Sequence, residues 1–569
     1  MSKNRYQWAA TGDVNAFFGL MLDNIAGLVL TVSLLAGVFK FPEQFAIRYM
    51  IPGTAIGVLV GDLLFFVMAF RLAKRTGHGK VTAMPLGLDT PSTFGMVLFV
   101  LGPAYRAALP ENLPADFNPS QIAEHYEIAL PAAMHAWQIG ICCIVASGIF
   151  KLLCSIGSGW TRRVVPRAGL LGSLAAIALV LIGFLPLMDI LALPLVGIVA
   201  LAIILVALTA RMKLPFRIPG ALASLIVAGG MFYLLKLIDR VYDTGLLASV
   251  EKQDLDAYEA LLPYEWLHVF SFEWVNAATD SLKYLPIVIP FALATVIGGI
   301  DCTESAAAAG DDYYTGSIIS VEAVATVAAG LCGGVIQTTP YIGHPAYKAM
   351  GGRAAYTLAT ALFVGGAGLL GYFGFLYLVI PKAAVFPILV FIGIEITSQS
   401  FHATPTRHYP AVAFACLPAL AVLANLLLGK YVTDQSLFLS GELLTIRILS
   451  GGFIITSLIW ASALAAMIDR KLKTVAIYFV VAGSMAFFGV IHSPYGSGRL
   501  FLPFLPNWVL SWFQPATQET LQTFTLDPLF VNPVYQFAIA YFIVAVLMLA
   551  LSLFAKESAA EAEIENLES

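Results

Sequence analysis

Three acidic residues lie inside strongly apolar runs of the sequence. Asp301 and Glu304 belong to the run LATVIGGIDCTESAAAAG, and Glu322 follows in ISVEAVATVAAG. Because an ionised carboxylate is costly in hydrocarbon, such residues normally face a cavity or a partner and mark a path for an ion or a solute. Asp301 and Glu304 are three residues apart, which places them on one helix face about one turn apart. Two close carboxylates in a low dielectric do not readily both stay ionised, which suits reversible capture of a proton.

Two further stretches combine proline and glycine with polar residues inside apolar runs. They lie at residues 82–102 and 338–351 and are interrupted too often for ordinary membrane helices. A half-helix that begins in mid-membrane offers unpaired N–H groups and a partial positive charge to a polar solute, provided that the irregular backbone lines a cavity. The candidate solute-binding residues are Asp89, Thr90, Gln337, Thr338, Thr339, Tyr341 and His344, together with Asp301 and Glu304. The alternative is that the prolines only kink closely packed helices.

Four carboxylates are candidates for carrying a coupling proton: Asp23, Asp301, Glu304 and Glu322. Each of them can instead be a fixed strut that hydrogen-bonds a neighbouring helix. His344 can relay a proton because the imidazole pKa lies near physiological pH, or it can be a hydrogen-bonded packing residue.

The composition places these residues in a membrane protein with many spans. The chain has 569 residues, of which 59% are hydrophobic and 12% charged, whereas a soluble domain carries about 25% charged residues. Apolar runs long enough to cross a bilayer recur along the whole length, about sixteen in all. They lie near 14–37, 48–71, 82–102, 132–154, 167–187, 193–210, 218–238, 285–309, 316–336, 338–351, 354–380, 384–400, 409–428, 443–468, 474–492 and 533–555.

Several function classes find no support in the sequence. The six cysteines lie in apolar segments without the spacing of metal ligands, so we expect neither a metal site nor a disulfide framework. There is no GxxxxGK[ST] loop to bind ATP, and no Ser/His/Asp arrangement for catalysis. We therefore expect no enzyme activity and no cofactor. The net charge of −4 is spread over many short loops and does not indicate a nucleic-acid partner.

The charged loops predict how the chain is threaded through the bilayer. With a cytoplasmic N-terminus, the cations that fall on the cytoplasmic side are Arg71, Lys74, Arg75, Lys80, Lys151, Arg162, Arg163, Arg167, Arg211, Lys213, Arg217, Arg470, Lys471 and Lys473. The opposite side receives the long loops 103–131, 239–284 and 493–532, which are richer in acids and aromatic residues. This agrees with the positive-inside rule. We expect an integral, multi-pass protein of a bacterial inner (plasma) membrane with both termini in the cytoplasm.

Three landmarks recur in the same order, seven segments apart. Asp23 and Asp301 both lie in mid-span; Pro85 and Pro91 recur as Pro340 and Pro345; and the run that begins at Val165 is followed by a similar one at Ile380. An odd number of spans per repeat forces the two copies into opposite orientations. Inverted repeats with paired, interrupted segments are typical of secondary transporters, whose central site lies between the repeats.

This pattern predicts six regions along the chain. They are a cytoplasmic N-terminus (1–13), a first seven-span repeat (14–240), an extracytoplasmic loop (241–284), a second seven-span repeat (285–468), two additional spans (469–555) and a cytoplasmic acidic tail (556–569). The tail is expected to be disordered or a frayed helical end.

The same residues resemble the nucleobase–cation symporter/nucleobase–ascorbate transporter superfamily, and within it the hypoxanthine/guanine/adenine permeases. Residues 301–305 (DCTES) are similar to the Asp-Thr-x-Gly-Thr pattern of that branch on span eight, and residues 321–323 (VEA) to its Ala-Asp-Ala on span nine. Its Thr-rich run ending in Gly-Gly-Arg on span ten is matched by residues 338–353, and its Pro-Gly-x-Gly-Leu-Asn on span three by residues 85–89.

The sequence also departs from this family. The carboxylate that binds the base on span ten is replaced by Gly343, with His344 next to it. The span-three Asn is Asp89, and only Gln337 remains of the Gln-Asn-x-Gly signature. The two final segments, at 474–492 and 533–555, exceed the usual fourteen spans.

The resemblance implies an all-α polytopic membrane protein with a uracil-permease-like fold. In that fold, two inverted seven-span repeats form a core of spans 1–4 and 8–11 and a gate of spans 5–7 and 12–14, here with two extra C-terminal spans. Members commonly form a homodimer through the gate, and transport proceeds as core and gate move against each other.

Three functions compete at this stage. The first is proton-coupled uptake of a nucleobase or a similar planar polar solute, with Na⁺ as an alternative coupling ion. In that hypothesis, Asp301 carries the proton or binds the solute and Glu304 is its partner. The second is an anion carrier for sulfate, bicarbonate or a carboxylate on the same fold, which the mid-span acids oppose unless they are protonated. The third is an intramembrane enzyme or a scaffold for a partner.

Overall fold

The computed structural model describes residues 6–156 (except 111 and 115), 167–245 (except 211, 213, 216 and 217), 261–431 (except 342 and 403), 441–493 and 533–568. Most of the loop 493–532 lies outside these residues, and so does Val165, which marks the predicted repeat. The predicted cytoplasmic cations that also lie outside them are Arg162, Arg163, Arg211, Lys213 and Arg217. Among the described residues, nine helices are long and apolar enough to cross a membrane, or up to eleven when two bent pairs are each counted as one span. The prediction of an all-α, multi-span membrane protein is confirmed.

The chain forms two compact units. The first comprises Met1–Val164 and Ile182–Ile394, and the second comprises Val165–Leu181 and Glu395–Ser569. All the spans predicted to form the core lie in the first unit, but so do spans six and seven of the predicted gate.

The elements up to residue 242 are α1 (Gly12–Phe39), α2 (Ile51–Thr76), β1 (Leu86–Leu88), α3 (Thr90–Met96), α4 (Gly102–Ala108), α5 (Ala123–Ile156), α6 (Arg167–Ile177), α7 (Phe184–Leu191), α8 (Pro194–Ile204) and α9 (Gly220–Tyr242). A short helical turn and a π-helix (Ala46–Met50) lead into α2. Further π-helices join α3 to α4 (Val97–Leu101), join α6 to α7 (Ala178–Gly183) and extend α8 (Leu205–Thr209).

Two 3₁₀ turns follow at Glu265–Ser271 and Glu273–Ala277, and after them come the remaining helices and the second strand. They are α10 (Ala278–Ser281), α11 (Leu285–Ala308), α12 (Thr315–Leu331), β2 (Thr338–Pro340), α13 (His344–Ala349), α14 (Ala355–Leu369), α15 (Phe373–Val379), α16 (Lys382–Val385), α17 (Pro387–His402), α18 (Tyr409–Tyr431), α19 (Gly441–Ser450), α20 (Phe453–Ile468), α21 (Leu472–Phe487) and α22 (Pro533–Glu568). The pairs α14–α15 and α19–α20 are bent by 94° and 79°.

Each predicted segment coincides with a helix, a bent helix pair or a strand followed by a helix. The interruptions predicted at 82–102 and 338–351 are present, but each takes the form of a three-residue strand ahead of a helix. The acidic tail continues α22 to Glu568 as a helix.

A row of glycines lets α2 pack very closely on α12 and the turn that follows it. A Cβ atom on Gly57 would lie 2.7 Å from the Cβ of Ala329, and one on Gly61 would lie 2.7 Å from the side chain of Leu86. A Cβ on Gly53 would overlap backbone atoms of residues 332–334. Such small residues allow membrane helices to approach each other closely. The helix ends at Thr76 because Gly77, at φ +72°, adopts the left-handed conformation of a C-terminal cap.

In the second unit, the two C-terminal helices α21 and α22 pack against each other and on α20. The centre of this packing is polar: the Trp460 indole N–H donates to the Tyr541 hydroxyl at 2.8 Å, and the His492 ring lies 2.6 Å from the same oxygen. His492 also stacks on Phe537, with ring centroids 4.3 Å apart. The Tyr541 hydroxyl of α22 therefore links this helix to Trp460 of α20.

Candidate functional site

The two interrupted segments meet as a pair of antiparallel strands. In β1 and β2, Leu86 lies opposite Pro340, and Leu88 lies opposite Thr338. The pairing extends by one bond at each end, because Asp89 N–H donates to the Gln337 carbonyl at 3.0 Å and Tyr341 N–H donates to the Pro85 carbonyl at 2.8 Å. These bonds satisfy backbone groups that the proline-rich sequence keeps out of a helix, as a membrane interior requires.

Side chains of two helices bind the outer edge of β1. Asp62 of α2 accepts a hydrogen bond from Leu86 N–H at 3.1 Å, and Asn24 of α1 accepts one from Leu88 N–H at 3.1 Å. Asp62 is therefore a strut, one of the two alternatives for intramembrane acids. Asp23, a predicted coupling carboxylate, is nearly buried beside Gly87.

Asp89 is the N-terminal cap of the helix that follows β1. Its carboxylate accepts a hydrogen bond from Ser92 N–H at 2.8 Å, and Thr90 is the first helical residue. The helix continues without a break from α3 through the π-helix to Ala108 at the end of α4. It therefore presents a helix N-terminus, with its partial positive charge, beside the strand pair.

A lysine and a glutamate form an ion pair beneath the strands. The ammonium of Lys151 on α5 lies 2.8 Å from the carboxylate of Glu322 on α12, and neither side chain has any solvent exposure. Lys151 also donates to the Thr338 carbonyl of β2 at 2.9 Å. The prediction that Lys151 is a cytoplasmic loop cation is wrong: α5 extends to Ile156, and the lysine lies within the packed helix.

Polar residues from four elements surround this pair. The Ser147 hydroxyl donates to the side-chain oxygen of Gln337 at 2.7 Å, one helical turn before Lys151 on α5. Asp89 faces both Gln337 and Lys151. Thr326 lies 3.5 Å from the ammonium and 3.2 Å from the Thr338 hydroxyl. The structure thus brings four predicted site residues together around Lys151, namely Asp89, Glu322, Gln337 and Thr338.

A small cavity adjoins this cluster. Its polar lining is Ser92, Ser147 and Gln337, and its apolar wall includes Phe291. Its volume of about 10 Å³ is roughly the space of one water molecule.

Asp301 and Glu304 point away from this cluster. The inward face of α11 carries Gly299, Cys302 and Thr303, and at about 3.6 residues per turn Asp301 and Glu304 lie on the other side of the helix. Asp301 is half-buried and Glu304 is exposed. Their roles as solute-binding and coupling residues stay predictions.

Position 343 has no room for a side chain. A Cβ atom on Gly343 would lie 2.7 Å from the Tyr341 ring and 3.1 Å from the Tyr347 ring, and these two rings stack with centroids 6.2 Å apart. Thr339 lies opposite Gly87 in the strand pair. The carboxylate that the resemblance leads one to expect on this segment is therefore replaced by packed aromatic rings.

His344 belongs to a second polar cluster, which joins the loop between α11 and α12 to α13. Its Nε2 lies 3.3 Å from the Asp311 carboxylate and 3.2 Å from the Thr82 carbonyl, so Nε2 carries the proton. The Lys348 ammonium lies 2.7 Å from the same carboxylate. His344 is thus a buried hydrogen-bonding residue, and Lys348 is the ion-pair partner of Asp311.

This cluster predicts a measurable pH dependence of stability. Burial by itself raises the pKa of the Asp311 carboxyl, but hydrogen bonds from His344 and Lys348 outweigh it and hold the pKa below its ordinary value. A carboxyl with a lowered pKa in the folded state adds stability above its unfolded pKa of about 3.9, and this stability is lost as the pH falls through the folded value. We expect wild type to be more stable than Asp311→Asn at neutral pH, with the difference shrinking below about pH 4.

Thermal unfolding of the purified protein in detergent, measured from neutral pH to about pH 3, tests this expectation. The exposed neighbour Asp312 supplies the matched variant, Asp312→Asn, which should unfold within about 0.5 kcal/mol of wild type throughout. A stability difference for Asp311→Asn that does not change with pH would contradict it.

Lys151 was not predicted as a site residue, although the predicted apolar segment 132–154 includes it. The rule applied to intramembrane acids holds equally for cations, and it would have found the lysine. Ser147, four residues earlier on the same helix face, would have followed from it. Within the described residues, no group of three or more His, Cys, Asp or Glu side chains could hold a metal ion.

Comparison with known proteins gives similarity to solved structures only. No family model and no curated protein sequence matches the chain. One similar structure is the transmembrane domain of a cyanobacterium bicarbonate transporter, BicA, at 13% identity and a TM-score of 0.45, covering 79% of this chain and 96% of that one. Another is the murine anion transporter Slc26a9 in its inward-facing state, at 12% identity and a TM-score of 0.38, covering 82% of this chain and 68% of that one.

Proposed function

We propose that the protein is a membrane carrier for a small inorganic or carboxylate anion, which it moves by alternating access. The observation that carries this proposal is the fully buried ammonium of Lys151 beneath the two paired strands. A buried cation in a membrane protein marks a solute or ion path unless it is a fixed structural pair, and it is the group that an anion needs. A site without solvent exposure is reached only after a rearrangement, as alternating access requires.

The surroundings of Lys151 supply the other groups that bind an anion. The helix that begins at Thr90 directs its N-terminus at the strands, and the partial positive charge of this helix end favours a negative charge. Ser92 and Ser147 lie beside the neighbouring cavity, and their hydroxyls donate to the Asp89 carbonyl at 3.0 Å and to the Gln337 side-chain oxygen at 2.7 Å. These hydroxyls and the lysine lie on two elements, α3 and α5.

The size of the site and the chemistry of span ten favour an anion over a nucleobase. The cavity has room for about one water molecule, so a small oxyanion needs far less rearrangement than a purine. The resemblance places the base-binding carboxylate at Gly343, where the rings of Tyr341 and Tyr347 leave no space for one. In the nucleobase hypothesis, the acids left to bind the base or its coupling proton on span eight are Asp301 and Glu304.

Uptake by the full chain reconstituted into liposomes tests the proposal. Labelled sulfate, bicarbonate, succinate, uracil and hypoxanthine are each supplied outside, with protein-free liposomes as the control for leakage. We expect at least one anion to enter in a saturable manner and unlabelled anion to compete with it. Saturable uptake of a base together with no uptake of any anion would overturn the proposal in favour of a nucleobase permease.

A further inference from the structure

The charges around Lys151 do not balance when every group is ionised. The ammonium faces two carboxylates, Glu322 at 2.8 Å and Asp89, so the cluster carries one net negative charge. Neutral polar groups near Glu322 include the Thr338 hydroxyl on β2, which donates to the Glu322 backbone carbonyl at 3.4 Å, and Thr295 and Cys302 on α11. An anion that enters this cluster is repelled unless one carboxylate first takes up a proton.

The two carboxylates differ in what stabilises their charge. Asp89 accepts the Ser92 N–H at 2.8 Å and lies at the N-terminus of a long helix, and both features favour its ionised form. Among the described residues, neither oxygen of Glu322 accepts a well-aligned hydrogen bond from a neutral group, since the nearby Thr295 hydroxyl donates to the Ala292 carbonyl at 2.9 Å, and the ion pair with Lys151 balances the charge. The proton therefore belongs on Glu322.

Lys151 keeps its position when Glu322 is neutral. Its ammonium is also bound to the Thr338 carbonyl at 2.9 Å and lies 3.5 Å from the Thr326 hydroxyl. Loss of the ion pair thus exposes the positive charge to a new partner without moving the lysine out of the site.

We propose that Glu322 is the coupling-proton site and that it competes with the transported anion for Lys151. This inference rests on the proposed function. One proton binds the Glu322 carboxylate and releases the ammonium, one singly charged anion pairs with Lys151, and the cluster keeps its net charge. On the other side of the membrane the anion leaves, Glu322 loses its proton, and the ion pair forms again. The result is symport of one proton with one anion.

Two adjacent glycines on α11 allow an independent test of the role of the Glu322 carboxylate. A Cβ atom on Gly299 would lie 2.9 Å from Glu322 Oε2, whereas one on Gly298 would meet no atom within 4 Å. The methyl group of Gly299→Ala would therefore come into steric conflict with the Glu322 carboxylate, whereas that of Gly298→Ala would not. The two substitutions are chemically identical and lie next to each other in the chain.

The main experiment measures uptake of labelled sulfate, bicarbonate and succinate by proteoliposomes with and without an inward proton gradient, with a pH-sensitive dye inside. A gradient of one pH unit supplies about a tenfold driving force per proton. In wild type we expect anion accumulation to rise about tenfold and the interior to acidify along with the anion. In Glu322→Gln we expect anion exchange to continue while the gradient dependence is lost.

Gradient-driven accumulation by Glu322→Gln would overturn the inference, as would wild-type uptake that follows a Na⁺ gradient and ignores protons. Absence of anion uptake by wild type is a different result, because it removes the proposed function itself. If Glu322→Gln does not yield folded protein, the glycine variants decide. Gly299→Ala should shift the pH midpoint of uptake by half a unit or more while Gly298→Ala matches wild type, and equal midpoints would overturn the inference.

Discussion

Lys151→Met is expected to lower the rate of anion uptake by at least about 100-fold. The substitution leaves Asp89 and Glu322 without the cation that faces them among the described residues, so that an entering anion meets two carboxylates. Removing one partner of a buried ion pair also costs about 3–5 kcal/mol of stability, because the other partner stays buried and unpaired. The loss of uptake is measured in proteoliposomes and the loss of stability by thermal unfolding in detergent.

A double variant separates the two effects. In Lys151→Met/Glu322→Gln the unpaired charge of Glu322 is gone, and Asp89 keeps its hydrogen bond from Ser92 N–H at the helix N-terminus, so part of the stability should return while uptake stays absent. Lys74→Met, which removes an exposed lysine at the end of α2 and outside the apolar segment 48–71, should leave both quantities unchanged. Uptake at wild-type rates by the double variant would show that the lysine is a structural partner and no more.

Gly53→Ala is expected to prevent folding or to lower the stability by at least about 3 kcal/mol. The added methyl group would overlap backbone atoms of residues 332–334, which cannot rotate away as a flexible side chain can. This turn connects α12, which carries Glu322, to β2, so the strand pair shifts with it. The readout is the yield of monodisperse protein and its unfolding temperature.

Gly37 of α1 provides the matched control for this prediction. A Cβ atom there meets no atom within 4 Å, so Gly37→Ala should be neutral or stabilise the protein by about 0.5–1 kcal/mol through helix propensity. Equal stability of the two variants would contradict the close packing of α2.

Hydropathy predicted the helices well because a bilayer sets their length. Each apolar segment has an element at its position, and the two interrupted segments are broken where their prolines are. The pairing of β1 with β2 could not be predicted, since three-residue strands carry no periodicity and their partners are far apart in the chain.

The direction in which side chains point was predicted less well than the positions of the helices. A helix that is apolar all round gives no moment to show which side meets protein and which meets lipid. Asp301 and Glu322 were therefore equivalent candidates, although one is half-buried and the other has no exposure. Lys151 was assigned to a loop because it lies near a helix end, where cations are usually at the interface.

The pairing of β1 with β2 also has a consequence for how the protein is made. Residue 88 leaves the ribosome long before its partner, residue 338. Until then, the backbone N–H and C=O groups of residues 86–88 have no strand to bind, and hydrocarbon cannot satisfy them. Asp62 and Asn24 are synthesised earlier and already bind two of these N–H groups, so they can hold the unfinished segment during biogenesis. The strand pair is complete only once the second interrupted segment has been synthesised.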